Sequence, residues 1–196
     1  MLLGVATLSG CASGPRWKQQ EFAFSVPSPL GAANTTSNVV ALERVTISPL
    51  FQSRSFTYRI GENAYEYDPY ASFLIAPERA FAESIRAWMN SCGVFGHVVG
   101  SRSGLIPDLI VEASVNQLYG DFRNTSHLKA TMQVRFLFYR VKDDNQRIIV
   151  LDKACTRVTE LTRKTPAALM AGWDTDLSEI MKEIASDYAE AVPKVR

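Results

Sequence analysis

The strongest constraint on the fold is a run of three long segments, between residues 109 and 159, in which apolar and polar side chains alternate. The middle segment alternates most cleanly, with these residues on one side: Leu128, Ala130, Met132, Val134, Phe136 and Phe138. Strict alternation predicts strands with one buried face, because successive side chains of a strand point to opposite sides. Short polar turns at 124–126 and 143–145 predict an antiparallel meander. Asp152 and Lys153 interrupt the third strand, where either a bulge or an edge position would accommodate them.

Two helices are predicted on either side of the meander in the sequence. The first begins at Pro77 and ends at Gly93, and the second has Thr165 as its N-cap and ends at Pro193. Each has one apolar stripe: Phe81, Ile85, Trp88, Met89 and Cys92 in the first, and Trp173, Leu177, Ile180, Met181, Ile184 and Tyr188 in the second. Both stripes must be buried, so their two tryptophans are predicted core residues.

Shorter strands are predicted at 21–24, 39–47, 56–60 and 64–67, with a hairpin turn at 61–63 and a loop over 25–38. A further short strand precedes a turn at 100–104. The predicted fold class is α+β, a mainly antiparallel mixed sheet with a long strand meander, packed by two main helices on one face.

The start of the chain predicts a targeting signal. Residues 2–10 are small or apolar and uncharged, and Leu8-Ser9-Gly10 precedes Cys11 in a pattern typical of a bacterial lipobox. No positive charge comes before Cys11, so we expect further signal sequence upstream. The predicted organisation is a signal peptide at 1–10, a lipidated tether at 11–20 and a single domain at 21–196. The absence of an aspartate next to Cys11 favours the outer membrane.

Composition and motifs argue against several function classes. A net charge of +1 is not the basic excess of a nucleic-acid-binding protein. The sequence has no phosphate-binding loop, no metal-binding motif and no cofactor motif. The Gly-rich segment at 100–104 has Arg102, not serine, at its centre, so it is not a nucleophile elbow. We therefore expect no enzymatic activity, no metal and no cofactor.

The histidines and the remaining cysteines are interpreted as structural. His97 and His127 are predicted to be partly exposed residues without a catalytic or metal-binding role. Cys92 and Cys155 could form a disulfide in an oxidising compartment, but two buried free thiols are the favoured interpretation.

An aromatic segment precedes the first helix. The residues are Tyr58, Tyr65, Tyr67, Tyr70 and Phe73. Tyr65 and Tyr67 are expected to share one face of a strand, while Tyr70 and Phe73 are expected in an irregular stretch. Ordinary core packing is one interpretation of this segment. The other is a partner-contact surface formed by Tyr65, Tyr67, Tyr70 and Phe73.

The order of features over residues 39–192 is informative as a whole. It runs from a strand ending in Tyr58-Arg59, through an aromatic strand at 65–70 and the helix at Pro77, to a turn at 93–95 and strands near Asp108-Leu109 and Asp121-Phe122. Together with the lipobox, this order resembles the ABC-type transport auxiliary lipoproteins. Phe73 departs from the commoner pattern, which has tryptophan there.

The resemblance implies a non-catalytic component of an envelope lipid transport system. Such systems combine an inner-membrane ATPase and permease with a periplasmic protein of the mammalian-cell-entry type. The auxiliary lipoprotein would be lipid-anchored, face the periplasm, and dock that protein or contact lipid. Self-association is left open. The alternative is a structural outer-membrane lipoprotein that assembles an envelope complex without binding lipid.

Overall fold

The computed structural model describes residues 18–27 and 37–191. Cys11, the predicted signal peptide and Pro193 lie outside the described residues. The elements are β1 (Gln20–Phe22), β2 (Val39–Ile47), a 3₁₀ turn (Pro49–Phe51), β3 (Ser55–Arg59), β4 (Tyr65–Phe73), α1 (Pro77–Ser91), β5 (His97–Gly100), β6 (Leu109–Asp121), β7 (Lys129–Val141), β8 (Arg147–Glu160) and α2 (Pro166–Ala191). β1 begins at Gln20, the last residue of the predicted tether.

The predicted meander is confirmed. β6 pairs antiparallel with β7, and β7 pairs antiparallel with β8, over almost their whole lengths. The six apolar residues predicted on one side of β7 are all buried. β8 contains a bulge, because Phe138 lies opposite Leu151 and Tyr139 opposite Ile149, which leaves Val150 without a partner in β7. β8 is also an edge strand. The strand that contains Asp152 and Lys153 therefore has both a bulge and an edge position.

The other side of β6 carries two strands end to end. β2 pairs parallel with the first half of β6, and β3 pairs parallel with its last two residues. β5 then pairs with β2, β4 with β3, and β1 with β4. The result is one mixed sheet of eight strands within the described chain, with the long antiparallel meander on one side. The α+β class is confirmed.

Both helices pack on the sheet, and the face they cover is here called the inner face. α1 packs on β2 and β5, while α2 packs on β7 and β8. Trp88 and Trp173 are buried, as predicted. Gly93 has a φ of 73°, the left-handed conformation that ends a helix at little cost in glycine. Thr165 caps α2, since its hydroxyl oxygen accepts the backbone N–H of Ala168 at 3.2 Å.

The path of β4 corrects one prediction. The strand does not end at Tyr67 but continues through Pro69 to Phe73, so Tyr70 and Phe73 lie in a strand rather than in an irregular stretch. Pro69 lies in a bulge in which Asp68 Oδ1 accepts the backbone N–H groups of Tyr70 and Ala71, at 2.8 and 2.9 Å. The carboxylate takes the place of a ladder partner, which lets a proline lie within the strand.

Candidate functional site

The face of the sheet opposite the helices, here the outer face, carries two of the predicted contact residues. The ring centroids of Phe56 and Trp173 lie 4.9 Å apart, so the Phe56 side of β3 faces α2. By alternation Thr57 and Arg59 point outward. Their register partners in β4 are Tyr67 and Tyr65, and paired residues share a face.

The 3₁₀ turn between β2 and β3 completes this outer surface. It buries Phe51 and leaves Leu50 exposed. The Phe51 ring stacks on Tyr119 of β6, with centroids 5.8 Å apart. Tyr65 meets Phe51 and Tyr119 edge-on at 6.2 and 5.9 Å. We call Leu50, Tyr65 and Tyr67, on their base of Phe51 and Tyr119, the tyrosine surface.

The tyrosine surface is exposed but held in place. Leu50, Tyr65 and Tyr67 are 59%, 39% and 56% exposed. The hydroxyl of Tyr67 lies 3.5 Å from the carbonyl oxygen of Leu50, and the edge-on contacts restrict the Tyr65 ring. The surface therefore offers aromatic area to a partner without a large loss of side-chain freedom on contact.

A cation borders the tyrosine surface. The Arg59 guanidinium carbon lies 5.9 Å from the Tyr65 ring centre and 6.0 Å from that of Tyr119, within the range of cation–π attraction. Its Nη2 donates to the carbonyl oxygen of Glu62 at 2.6 Å. Nearby, the Arg123 guanidinium forms two hydrogen bonds with Asp121 and lowers the pKa of that carboxyl.

The four predicted contact residues do not form one surface. Tyr65 and Tyr67 lie together, whereas Tyr70 lies beyond the β4 bulge, where it is 46% exposed. Phe73 is only 1% exposed and packs against Phe24, Phe56 and Trp173. Phe73 therefore belongs to the core, and a partner cannot reach it in this fold.

Sequence reasoning missed part of the tyrosine surface. Leu50 and Phe51 lie between the predicted strands at 39–47 and 56–60, and strict alternation from Val115 would put Tyr119 on the buried side of β6. Pro49 was the available signal for the turn, because proline favours the first position of a helical turn. A bulge in β6 at Asn116 moves Tyr119 to the outer face, and nothing in the residue pattern predicts it.

A recess lies on the face of β3 opposite the tyrosine surface. It is a cleft of about 300 Å³ lined by Tyr58, Ile60, Glu66, Asp68, Phe122, Lys164, Thr165 and Pro166. The Tyr58 hydroxyl donates to Asp68 Oδ2 at 2.6 Å. Burial, and then the neighbouring carboxylate, raise the pKa of Tyr58 well above its ordinary value. The phenol therefore stays protonated and serves as a hydrogen-bond donor rather than as a base.

The histidines and the cysteines differ in their exposure. His97 and His127 are both exposed. Cys92 and Cys155 are buried free thiols, which confirms the favoured interpretation. Burial raises the pKa of Cys155 to about 11, which disfavours the reactive thiolate. Among residues 18–27 and 37–191, no three His, Cys, Asp or Glu side chains are grouped as metal ligands would be.

Comparison with solved structures shows the fold. A Xanthomonas campestris protein of family DUF330 aligns over 89% of this chain and 97% of its own, with a TM-score of 0.76 and 14% identity. An uncharacterised protein aligns over 85% and 99%, with a TM-score of 0.62 and 14% identity. A lipoprotein from Neisseria meningitidis aligns over 77% and 99%, but its TM-score of 0.40 at 7% identity supports no argument. No family model and no curated protein sequence matches the chain.

Proposed function

We propose that this chain is a lipid-anchored, non-catalytic auxiliary component of an ABC-type envelope lipid transport system. It docks a periplasmic protein of the mammalian-cell-entry type, which links it to the permease and ATPase. The observation that carries the proposal is the tyrosine surface, which leaves Tyr67 56% exposed while Phe51 and Tyr119 of its base are buried. The sequence resemblance supplies the kind of system.

The chemistry of the tyrosine surface suits a protein partner. Aromatic residues are enriched at protein interfaces because each buries a large apolar area and a tyrosine hydroxyl can pair with a polar rim. Arg59 lies at its border, and arginine is likewise common among residues that dominate binding energy. Together these groups resemble the centre of a protein interface, where a few side chains contribute most of the binding energy.

Anchoring is proposed through Cys11. Within the described residues, neither helix has the length and apolar character needed to cross a bilayer. Cys11 is nine residues before Gln20, where the sheet begins, and an extended chain spans at most about 3.6 Å per residue. The anchor would therefore hold the sheet within roughly 30 Å of the membrane, which we propose to be the outer membrane with the domain facing the periplasm.

The anchor is tested by metabolic labelling with radioactive palmitate. Label is expected in the chain produced with its complete signal and absent from Cys11→Ser. Label that persists in the Cys11→Ser variant would show that Cys11 is not the acylated residue.

Docking is tested by measuring the affinity of the chain for the purified mammalian-cell-entry protein from the same envelope. Tyr67→Ala is expected to weaken binding about tenfold or more, the effect of truncating a central interface residue. Leu105→Ala is the matched control, because Leu105 is also 56% exposed but lies in the loop before β6. Both variants should melt at the wild-type temperature.

Equal affinities for Tyr67→Ala, Leu105→Ala and wild type would reject docking through the tyrosine surface. Mass spectrometry of lipid extracted from the complex separates the two forms of the proposal. Lipid in the complex supports a transport role. Tight binding without any lipid would instead favour a structural envelope lipoprotein.

A further inference from the structure

The free edge of β8 is the longest unpaired backbone in the described chain. β8 has 14 residues and pairs only with β7. An exposed edge strand presents unpaired N–H and C=O groups that can accept another strand. On its outer side Ile149 and Val158 are 60% and 52% exposed.

We propose that this edge pairs with the same edge of a second copy of the chain, as two antiparallel β8 strands related by a two-fold axis at Ala154. The inference does not depend on the transport role. In such an isologous interface each contact occurs twice, so the strand must be complementary to its own reverse. Side chains at paired positions must also share a face.

The bulge at Val150 decides the register. It shifts the alternation, so outward residues have odd numbers before it and even numbers after it. With Ala154 opposite itself, Asp152 lies opposite Thr156 of the other copy. Across the bulge, Ile149 then lies opposite Val158.

This register matches chemistry along the outer side of the edge. Arg147 lies opposite Glu160, two charges of opposite sign, and the two exposed aliphatic side chains meet each other. The Thr156 hydroxyl accepts a hydrogen bond from Gln133 at 2.8 Å, so its own proton can be donated to Asp152. Cross-strand pairs of this kind are the units that stabilise a sheet.

Neighbouring registers lose this match. A two-fold axis at Lys153 would place Val158 opposite Arg147. An axis at Cys155 would place Asp152 opposite Val158. On the outer side each of these two registers sets a charge against an apolar side chain, whereas the register at Ala154 has no such pair there.

Charged side chains on an edge strand usually prevent it from pairing with another strand. On the inner side of β8 these charges are already held in ion pairs within the chain. Lys153 forms ion pairs with Glu183 and Asp187 of α2, each at 2.5 Å. Arg157 also pairs with Glu183. These inward cations are neutralised by their own chain and do not repel a second β8.

Disulfide trapping tests the register in the full-length chain. Paired Cα atoms of antiparallel strands lie about 4.5–5.5 Å apart, within the range that a disulfide spans. Ala154→Cys should therefore form a linked dimer under mild oxidation, above the wild-type background. Thr156→Cys is the matched control, since two copies of this residue would lie roughly 13 Å apart and should not link.

Charge exchange tests the contacts by sedimentation. Arg147→Glu and Glu160→Arg should each raise the dimer dissociation constant about tenfold, because each replaces two attractions with two repulsions. The double variant should restore it. The proposal is overturned if the chain stays monomeric at all concentrations, if Ala154→Cys and Thr156→Cys link equally, or if the single reversals leave dimerisation unchanged.

Discussion

The two halves of β4 carry aromatic residues that differ in exposure. Tyr65 and Tyr67, before the bulge, remain 39% and 56% exposed on the outer face. Phe73, after the bulge, is buried and stacks on Trp173 with ring centroids 5.6 Å apart. Phe73 lies six positions after Tyr67, and an undisturbed strand would put both on the same face.

The bulge explains the difference. Between Thr57 and Ser55 of β3 the register changes, because Thr57 lies opposite Tyr67 while Ser55 lies opposite Ser72. The additional residues in β4 reverse which side chains point inward. One strand therefore supplies both a surface and a core residue, and the number of aromatics in a segment does not decide between them.

The sharpest test of this contrast is truncation on each side of the bulge. Phe73→Ala should lower the free energy of unfolding by about 3–5 kcal/mol, because it leaves a cavity among packed rings. Tyr67→Ala should change it by less than about 0.5 kcal/mol, as is usual for a surface position. Urea denaturation measures both. Similar losses from the two variants would contradict the assignment of Phe73 to the core and of Tyr67 to the surface.

Two carboxylates show the same contrast between a buried and an exposed position. Asp176 of α2 is 1% exposed, and its Oδ1 accepts the Thr159 hydroxyl at 2.6 Å, while its Oδ2 has no hydrogen-bond partner among the described residues. Burial raises the pKa of Asp176 to about 6. On the outer face Arg135 instead lowers the pKa of Asp152.

The raised pKa gives a pH dependence of known sign. Folded Asp176 holds its proton up to about pH 6, whereas the unfolded residue loses it near pH 4, so this group's contribution to stability falls as pH rises between these values. Asp176→Asn should therefore stabilise the chain by about 2–3 kcal/mol at pH 8 and much less at pH 4. Asp152→Asn, the control, should lose stability relative to wild type only as pH rises to about 5, and the difference should then stay level up to pH 8. A constant difference between Asp176→Asn and wild type from pH 4 to 8 would refute the buried ionisation.

The bulge itself depends on Asp68, which accepts two backbone N–H groups and the Tyr58 hydroxyl. Asp68→Ala should cost about 1–2 kcal/mol, since these donors lose a charged acceptor. Asp68→Asn keeps an acceptor oxygen for the backbone and should lose less. If Asp68→Ala and Asp68→Asn are equally stable, the bulge is held by something other than this side chain.

Local patterns predicted most of the elements and little of how they meet. The meander follows from alternation, and the start of each helix follows from Pro77 and Thr165. The extension of β4 through Pro69 could not be predicted, because a proline ordinarily marks the end of a strand and here a side-chain carboxylate compensates for it. The parallel contacts of β2 and β3 with β6 depend on residues far apart in sequence, and no local pattern encodes them.

The candidate site was predicted only in part, because it too depends on contacts between residues far apart in sequence. Tyr65 and Tyr67 were placed on one face because they are two residues apart. Phe73 was misplaced because β4 continues past Pro69, where the sequence predicted an irregular stretch. Leu50 and Phe51 join the tyrosine surface only through a turn that lies against Tyr119, a tertiary contact without a sequence signature.

The central claim, that the outer tyrosine surface contacts the transport partner, is tested most directly by hydroxyl-radical footprinting of the chain with and without the purified mammalian-cell-entry protein. Tyrosine and leucine side chains are oxidised according to their exposure, so each residue reports separately. The account predicts that the partner protects Leu50, Tyr65 and Tyr67, while Leu105 and Ile106, which are 56% and 91% exposed, are oxidised as before. Unchanged oxidation of Tyr65 and Tyr67 in a saturated complex would contradict it.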